Sequence, residues 1–175
     1  MVVKMNIKIR KATKSDVRNL SVLKKQVFIS TYALDGINGE FSNHITKTFS
    51  EDEILKSIEE PDKITLLAEK DGFLLGCAEI VLNSTCKETG NKSPKLYVLY
   101  VFEHAKGKGI GYQLITESEK LVKELGYAGL WLTVYHENRA AINFYLRQLY
   151  KDIGAFQFEM EGNFYENRIL YKDLS

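Results

Sequence analysis

A chain of 175 residues, 45% of them apolar, is long enough for one domain with a full core and too apolar to remain disordered. Its 24 basic and 23 acidic residues are interspersed and leave a net charge of +1, which argues against nucleic acid as the main partner. Cys77 and Cys86 lack zinc spacing, His44, His104 and His136 stand far apart, the opening Met-Val-Val-Lys-Met lacks the apolar stretch of a signal peptide, and no segment reaches roughly 18 apolar residues. A metal centre, a disulfide scaffold and a membrane protein are therefore disfavoured, and a reducing cytoplasm is the expected location.

Residues 6–11 read as a first strand; Met5 could be an alternative start, which makes residues 1–4 an optional, disordered tail. Thr13-x-x-Asp16 resembles a capping box, and Val17, Leu20, Leu23 and Val27 follow at helical spacing, predicting a helix to about Tyr32. Residues 33–47 read as irregular. Ser50-x-x-Glu53 opens a second helix that Pro61-Asp62 ends by about Glu60. Two strands, Ile64 to Glu69 and Phe73 to Leu82, meet around Asp71-Gly72 as a hairpin. The polar run 83–94 reads as a loop, followed by a fourth strand at 95–102. A helix over 109–125 ends at Gly126, a fifth strand spans 129–135, and a further helix spans 139–153. A last hairpin is expected around Gly162-Asn163, between Phe156 to Glu161 and Phe164 to Tyr171. The order β-α-α-β-β-β-α-β-α-β-β is mixed α/β, in a single domain over 1–175. Its fourth strand, following helix and fifth strand form a parallel crossover unit.

The richest stretch is the fourth strand running into Lys106-Gly107-Lys108-Gly109-Ile110-Gly111 and then straight into a helix. A strand, a glycine loop and a helix N-terminus together make an anion site from backbone alone. Glycines let the main chain approach the ligand, N–H groups converge on it, and the helix dipole favours negative charge. Lys106 and Lys108 add positive charge, so phosphate or pyrophosphate is the expected ligand. The Walker pattern is not met, because Tyr112 and Gln113 follow Gly111. The dinucleotide fingerprint also fails, since the order is G-x-G-x-G and no acidic residue ends the fifth strand.

Lys106 to Gly111 resembles the acyl-coenzyme A loop of the GCN5-related N-acetyltransferases (GNAT), [Q/R]-x-x-G-x-[G/A], with Lys106 departing from Gln or Arg. Leu132 to Tyr145 is similar to that family's fifth strand followed by N-x-x-A-x-x-F-Y, and Ile7 to Asp16 is similar to its I-R-x-A-x-x-x-D opening. The length and the aromatic segment around Thr31-Tyr32 resemble the PaiA-type polyamine acetyltransferases. The resemblance implies a mostly antiparallel sheet, splayed at central parallel strands four and five and flanked by helices. It also implies acetyl-CoA as the acyl donor, with no metal. The loop Lys106, Gly107, Lys108, Gly109, Ile110 and Gly111 would hold the pyrophosphate, and the backbone of Leu99, Tyr100 and Val101 would hold the pantetheine arm. Asn138 would contact the coenzyme as well as capping its helix. Tyr145 would protonate the leaving thiolate.

Tyr150 is a rival for that acid. Leu149-Tyr150-Lys-Asp-Ile-Gly154 imitates the family's F-Y-x-K-x-G, as though about five residues, more than one helical turn, were inserted. Phe144 reads as core. For the base, Glu79 is a carboxylate in an apolar strand, where burial would raise its proton affinity. Tyr32, Tyr97 and His136 are candidates for binding the acceptor, with Tyr97 and Tyr100 on opposite strand faces. Segment 28–49 and the final hairpin would form the acceptor pocket, with Asp35, Glu40, Glu159, Glu161 and Glu166 available to attract a polycation. The implied reaction is direct acetyl transfer to a small-molecule amine, a polyamine being one such acceptor. A peptide acceptor, or a non-catalytic acyl-CoA-binding module, is the alternative. A homodimer through the final strands is compatible with the sequence.

Overall fold

The computed structural model describes residues 6–86 and 88–175; the expected tail at residues 1–4 lies outside the described residues. The strands are β1 (Lys8–Lys11), β2 (Lys63–Lys70), β3 (Phe73–Thr85), β4 (Lys92–Val101), β5 (Gly129–Tyr135), β6 (Lys151–Met160) and β7 (Asn163–Asp173). The helices are α1 (Val17–Tyr32), α2 (Gly39–Thr48), α3 (Glu51–Glu59), α4 (Ile110–Glu124) and α5 (Arg139–Arg147). The sheet runs β1-β2-β3-β4-β5-β7-β6. β4 and β5 are parallel over a short ladder, Lys95 opposite Trp131 and Leu96 opposite Leu132, while β5–β7, β6–β7 and β1–β2 are antiparallel.

Local chemistry explains most boundaries. The Thr13 N–H donates to Asp16 Oδ2 at 2.8 Å, the return half of a capping box, and a 3-10 turn at Lys14–Asp16 leads into α1. Ser50 accepts from the Glu53 N–H and starts α3. α4 ends as expected at Gly126: the Tyr127 N–H reaches Val122 O at 3.2 Å and the Gly126 N–H reaches Lys123 O at 2.9 Å, the paired bonds of a Schellman stop. Asp71 and Gly72, with φ of 51° and 83°, make the tight β2–β3 turn.

Four expectations are corrected. The irregular stretch expected over 33–47 ends at Asn38, which accepts from the Phe41 N–H and nucleates α2 from Gly39. The loop at 83–94 shrinks: β3 continues to Thr85 and β4 starts at Lys92, with Pro94 buried in the strand. The helix expected over 139–153 stops at Arg147. Leu149 takes up φ 68° and the Tyr150 N–H bonds to Tyr145 O at 3.1 Å, so a non-glycine residue supplies the left-handed stop. Gly154 then lies in β6 beside a bulge at Asp152/Gly154, and the apparent insertion lengthens no helix. The last hairpin turns on Glu161 and Gly162, one residue earlier than expected.

The chain forms two compact units. The first comprises the residues up to Glu79 together with Val98–Ser118; the second comprises Ile80–Tyr97 and Glu119–Ser175. In the first, Val17, Leu20, Leu23 and Val27 of α1 pack on Ile54, Leu67, Cys77 and Val98. In the second, Cys86, Trp131 and Ile169 are packed by Ile153, Phe156 and Tyr171. Among the described residues no helix is long and apolar enough to cross a membrane.

Candidate active site

In the first unit the glycine loop is built as a cradle. Gly107 and Gly109 have φ of 74° and 79°, which side-chain-bearing residues avoid, and a Cβ placed on either would meet no heavy atom within 4 Å. The loop is open at the N-terminus of the 15-residue α4, where the first-turn amides point outward without helical partners. Ile110 is buried and anchors the helix start. Lys106 is not a free cation: it pairs with Glu103 at 2.6 Å, and Lys108 folds back to donate to the His104 carbonyl at 2.9 Å. Both lysines are exposed, so a diphosphate could recruit them at small cost. The open cradle, amide donors and nearby ammonium groups fit a pyrophosphate. Preceding it, Leu99, Tyr100 and Val101 are half-buried on β4. β3 passes so close that a Cβ on Gly76 would lie 2.7 Å from the Tyr100 carbonyl oxygen.

Glu79 is more deeply placed than an apolar strand alone implies. It is 5% exposed and forms an ion pair with Lys24 of α1, itself 3% exposed. Lys24 escaped the sequence reading. It occupies the buried stripe of α1 between Leu20 and Val27, and a cation on an apolar stripe was the available signal. Cys77, two residues before Glu79, is wholly buried, and that burial pushes its thiol up to about 12, which leaves it no nucleophilic thiolate.

The same unit gathers an aromatic cluster. Phe28 lies 4.8 Å from Tyr32, 5.0 Å from His44, 5.6 Å from Phe49 and 6.1 Å from Phe41, ring centre to ring centre. Phe28 and Phe49 are buried, whereas Tyr32, Phe41 and His44 are partly open. The Ser21 hydroxyl donates to the Phe49 carbonyl at 2.5 Å and fixes α1 to the end of α2. His44 joins this cluster through a helix that sequence reasoning did not foresee.

In the second unit Asn138 caps α5, accepting from the Ala141 N–H at 3.2 Å. Tyr145 is 8% exposed and more buried than Phe144, reversing the expected order of core and site. Its ring lies 5.8 Å from that of Tyr150. Tyr150 is 2% exposed, and burial, followed by the Glu119 charge, raises its phenol above the ordinary value. Lys172 bonds to Glu119 at 2.7 Å and lies 5.6 Å from the Tyr150 ring centre. Tyr150 is thus an inward-facing residue with a tightly held proton. His136 packs edge-on against Tyr135 at 5.0 Å, and Tyr97 is 56% exposed. Among the described residues no cluster of His, Cys, Asp or Glu is arranged to hold a metal ion.

Residues 32–149 match the model of the acetyltransferase (GNAT) family. A spermidine N(1)-acetyltransferase of Thermoplasma acidophilum is 30% identical over 168 residues, covering 91% of this chain and 99% of that protein. The PaiA N-acetyltransferase of the same organism, solved with coenzyme A, superposes with a TM-score of 0.76 at 24% identity over 97% of this chain and 99% of that one. A ribosomal-protein-alanine N-acetyltransferase from Brucella melitensis shares the fold with a TM-score of 0.71 at 21% identity, over 95% of this chain and 99% of that one. With the strand, glycine cradle and helix in that family's order and the match running through α5, the chain belongs to the GNAT family of acetyl-CoA-dependent acetyltransferases.

Proposed function

We propose that this enzyme transfers the acetyl group of acetyl-CoA directly to a primary amine of a small polycationic acceptor of the spermidine class. The observation that carries the acceptor is the 30% identity, over nearly the full length of both chains, to a spermidine N(1)-acetyltransferase. The aromatic cluster around Phe28 and Tyr32 supports it, because rings bind both the methylene segments and the ammonium groups of a polyamine. Tyr97 and His136 remain further candidates for acceptor contacts.

The donor supplies an activated thioester. The Gly107–Gly111 cradle and the first amides of α4 hold its diphosphate, with Leu99 to Val101 and Asn138 aligning the rest. Glu79, ion-paired with Lys24, takes the proton the acceptor ammonium must lose, directly or through water. Tyr145 donates a proton to the departing thiolate. It is preferred to Tyr150 because Tyr150 is buried beside Glu119, which raises its phenol above the ordinary value. The high proton affinity of Cys77 favours direct transfer over an acyl-enzyme.

Thiol release from acetyl-CoA, measured with polyamines, amino acids, aminoglycosides and peptides, tests this reading. A polyamine is expected to give the fastest release. Tyr145→Phe is expected to lower kcat by about 10²-fold, with little change in the KM for acetyl-CoA. Release with peptides alone would overturn the polyamine assignment, and an unchanged kcat in Tyr145→Phe would overturn the acid.

A further inference from the structure

Lys95, at the start of the apolar part of β4, sits in a box of aromatic rings. Its ammonium nitrogen lies 4.7 Å from the ring centre of Trp131, 5.4 Å from that of Tyr97 and 5.9 Å from that of Phe156. The walls come from three strands: Trp131 stands opposite it on β5, Tyr97 is two residues along on its own face, and Phe156 belongs to β6. The Trp131 indole N–H is committed to the Ser93 carbonyl at 3.2 Å, which fixes that wall. No carboxylate among the described residues pairs with Lys95. The titratable groups facing it are the buried Cys86 thiol and the Tyr97 phenol. Lys95 remains partly exposed, so a reagent can reach it.

A lysine withdrawn from water without a counter-ion becomes a nucleophile, because its neutral amine is available near physiological pH. Loss of hydration pushes the Lys95 amine down from 10.5 to about 8. At pH 8 about half of such amines are neutral, against about 0.4% for an ordinary lysine. The rings add placement: they wall the amine off from water on three sides and, after acylation, can stack on the flat amide. The enzyme's own donor is the obvious electrophile.

We propose that Lys95 is an acyl-acceptor site of the chain itself, modified by the acyl thioester that the enzyme uses as its donor. The neutral Nζ attacks the thioester carbonyl, an amide C–N bond forms and the C–S bond breaks. The thiolate leaves, and the proton lost from nitrogen goes to it or to solvent. The site shares Tyr97 with the candidates for acceptor contacts but does not depend on the acceptor's identity, and it stands even if the acceptor is not a polyamine.

The test is mass-spectrometric mapping of acetylated lysines after the purified enzyme is incubated with acetyl-CoA and no acceptor, sampled in time between pH 6.5 and 10. Lys95 is expected to be modified at least about 10-fold faster than the median lysine, its rate levelling off above about pH 8. Phe156→Leu, which opens one wall, should move the plateau upward and erase most of the advantage. Far-UV circular dichroism and an unchanged thermal transition serve as the control that this variant is folded. Lys95→Arg should remove the first acetyl mass increment from the intact protein. Modification of Lys95 no faster than the median, or a rate that climbs steadily to pH 10, would overturn the proposal.

Discussion

The most consequential single residue outside the expected set is Lys24. A buried ion pair gains little net stability over an apolar pair, yet removing one partner leaves an uncompensated charge. Lys24→Met is therefore expected to destabilise the protein by about 3–5 kcal/mol, with much of the loss recovered in Lys24→Met/Glu79→Leu; denaturant unfolding of both variants checks this. Arg10 offers a second, milder case. Its guanidinium grips Asp16 through two bonds of 2.8 Å and also reaches Glu69 at 3.0 Å. The hydrogen bonds from Arg10 hold the Asp16 carboxyl at about 2, below the ordinary 3.8. A carboxylate depressed on folding contributes stability that is complete above its unfolded value and is lost as pH falls through the folded one. The stability difference between the native chain and Arg10→Met is therefore expected to be constant above about pH 5 and to shrink between about pH 4 and 2. Unfolding titrations at fixed denaturant would measure it, and a pH-independent difference would contradict the assignment.

Elements were legible where a backbone stop or start has a dedicated residue. The Ser50 cap, the Asp71-Gly72 turn and the Gly126 stop were all readable, and the β5 boundaries were read as they stand. What misled was the absence of glycine at Leu149: its left-handed conformation ends α5, and no residue preference announces it. Leu149 is 75% exposed, so its side chain contributes little burial. Leu149→Gly is expected to raise stability by about 0.5–1 kcal/mol, the relief of left-handed strain exceeding the added chain entropy; thermal unfolding would show it as a higher Tm. The site followed the same division. The glycine loop, Asn138 and Tyr145 carry motif spacing and are legible in the sequence as candidates, whereas Lys24 and His44 come into view only through the helices that place them. α2 has an Asn38-Gly39 start, but the surrounding glycines and scattered aromatics obscure its period in the sequence.

At the scale of the whole molecule, both compact units are discontinuous in sequence, each assembled from two stretches of chain. The β4–β5 ladder, with Lys95 opposite Trp131, joins the two stretches of the second unit, and on the other side of β5 Gly129 pairs with Asp173 and Tyr135 with Asn167, so β7 lies beside β5 with α5 and β6 between them in sequence. β5 is almost wholly buried and reads Gly-Leu-Trp-Leu-Thr-Val-Tyr. During synthesis this apolar ribbon leaves the ribosome with its β7 side unpaired, and roughly 40 more residues, about 2–8 s of translation, must follow before that side can close. The C-terminal hairpin is in this sense the nascent chain's own late-arriving chaperone: a premature stop before residue 163 would free a sticky strand, and such fragments should collect in inclusion bodies while the full-length chain stays dispersed.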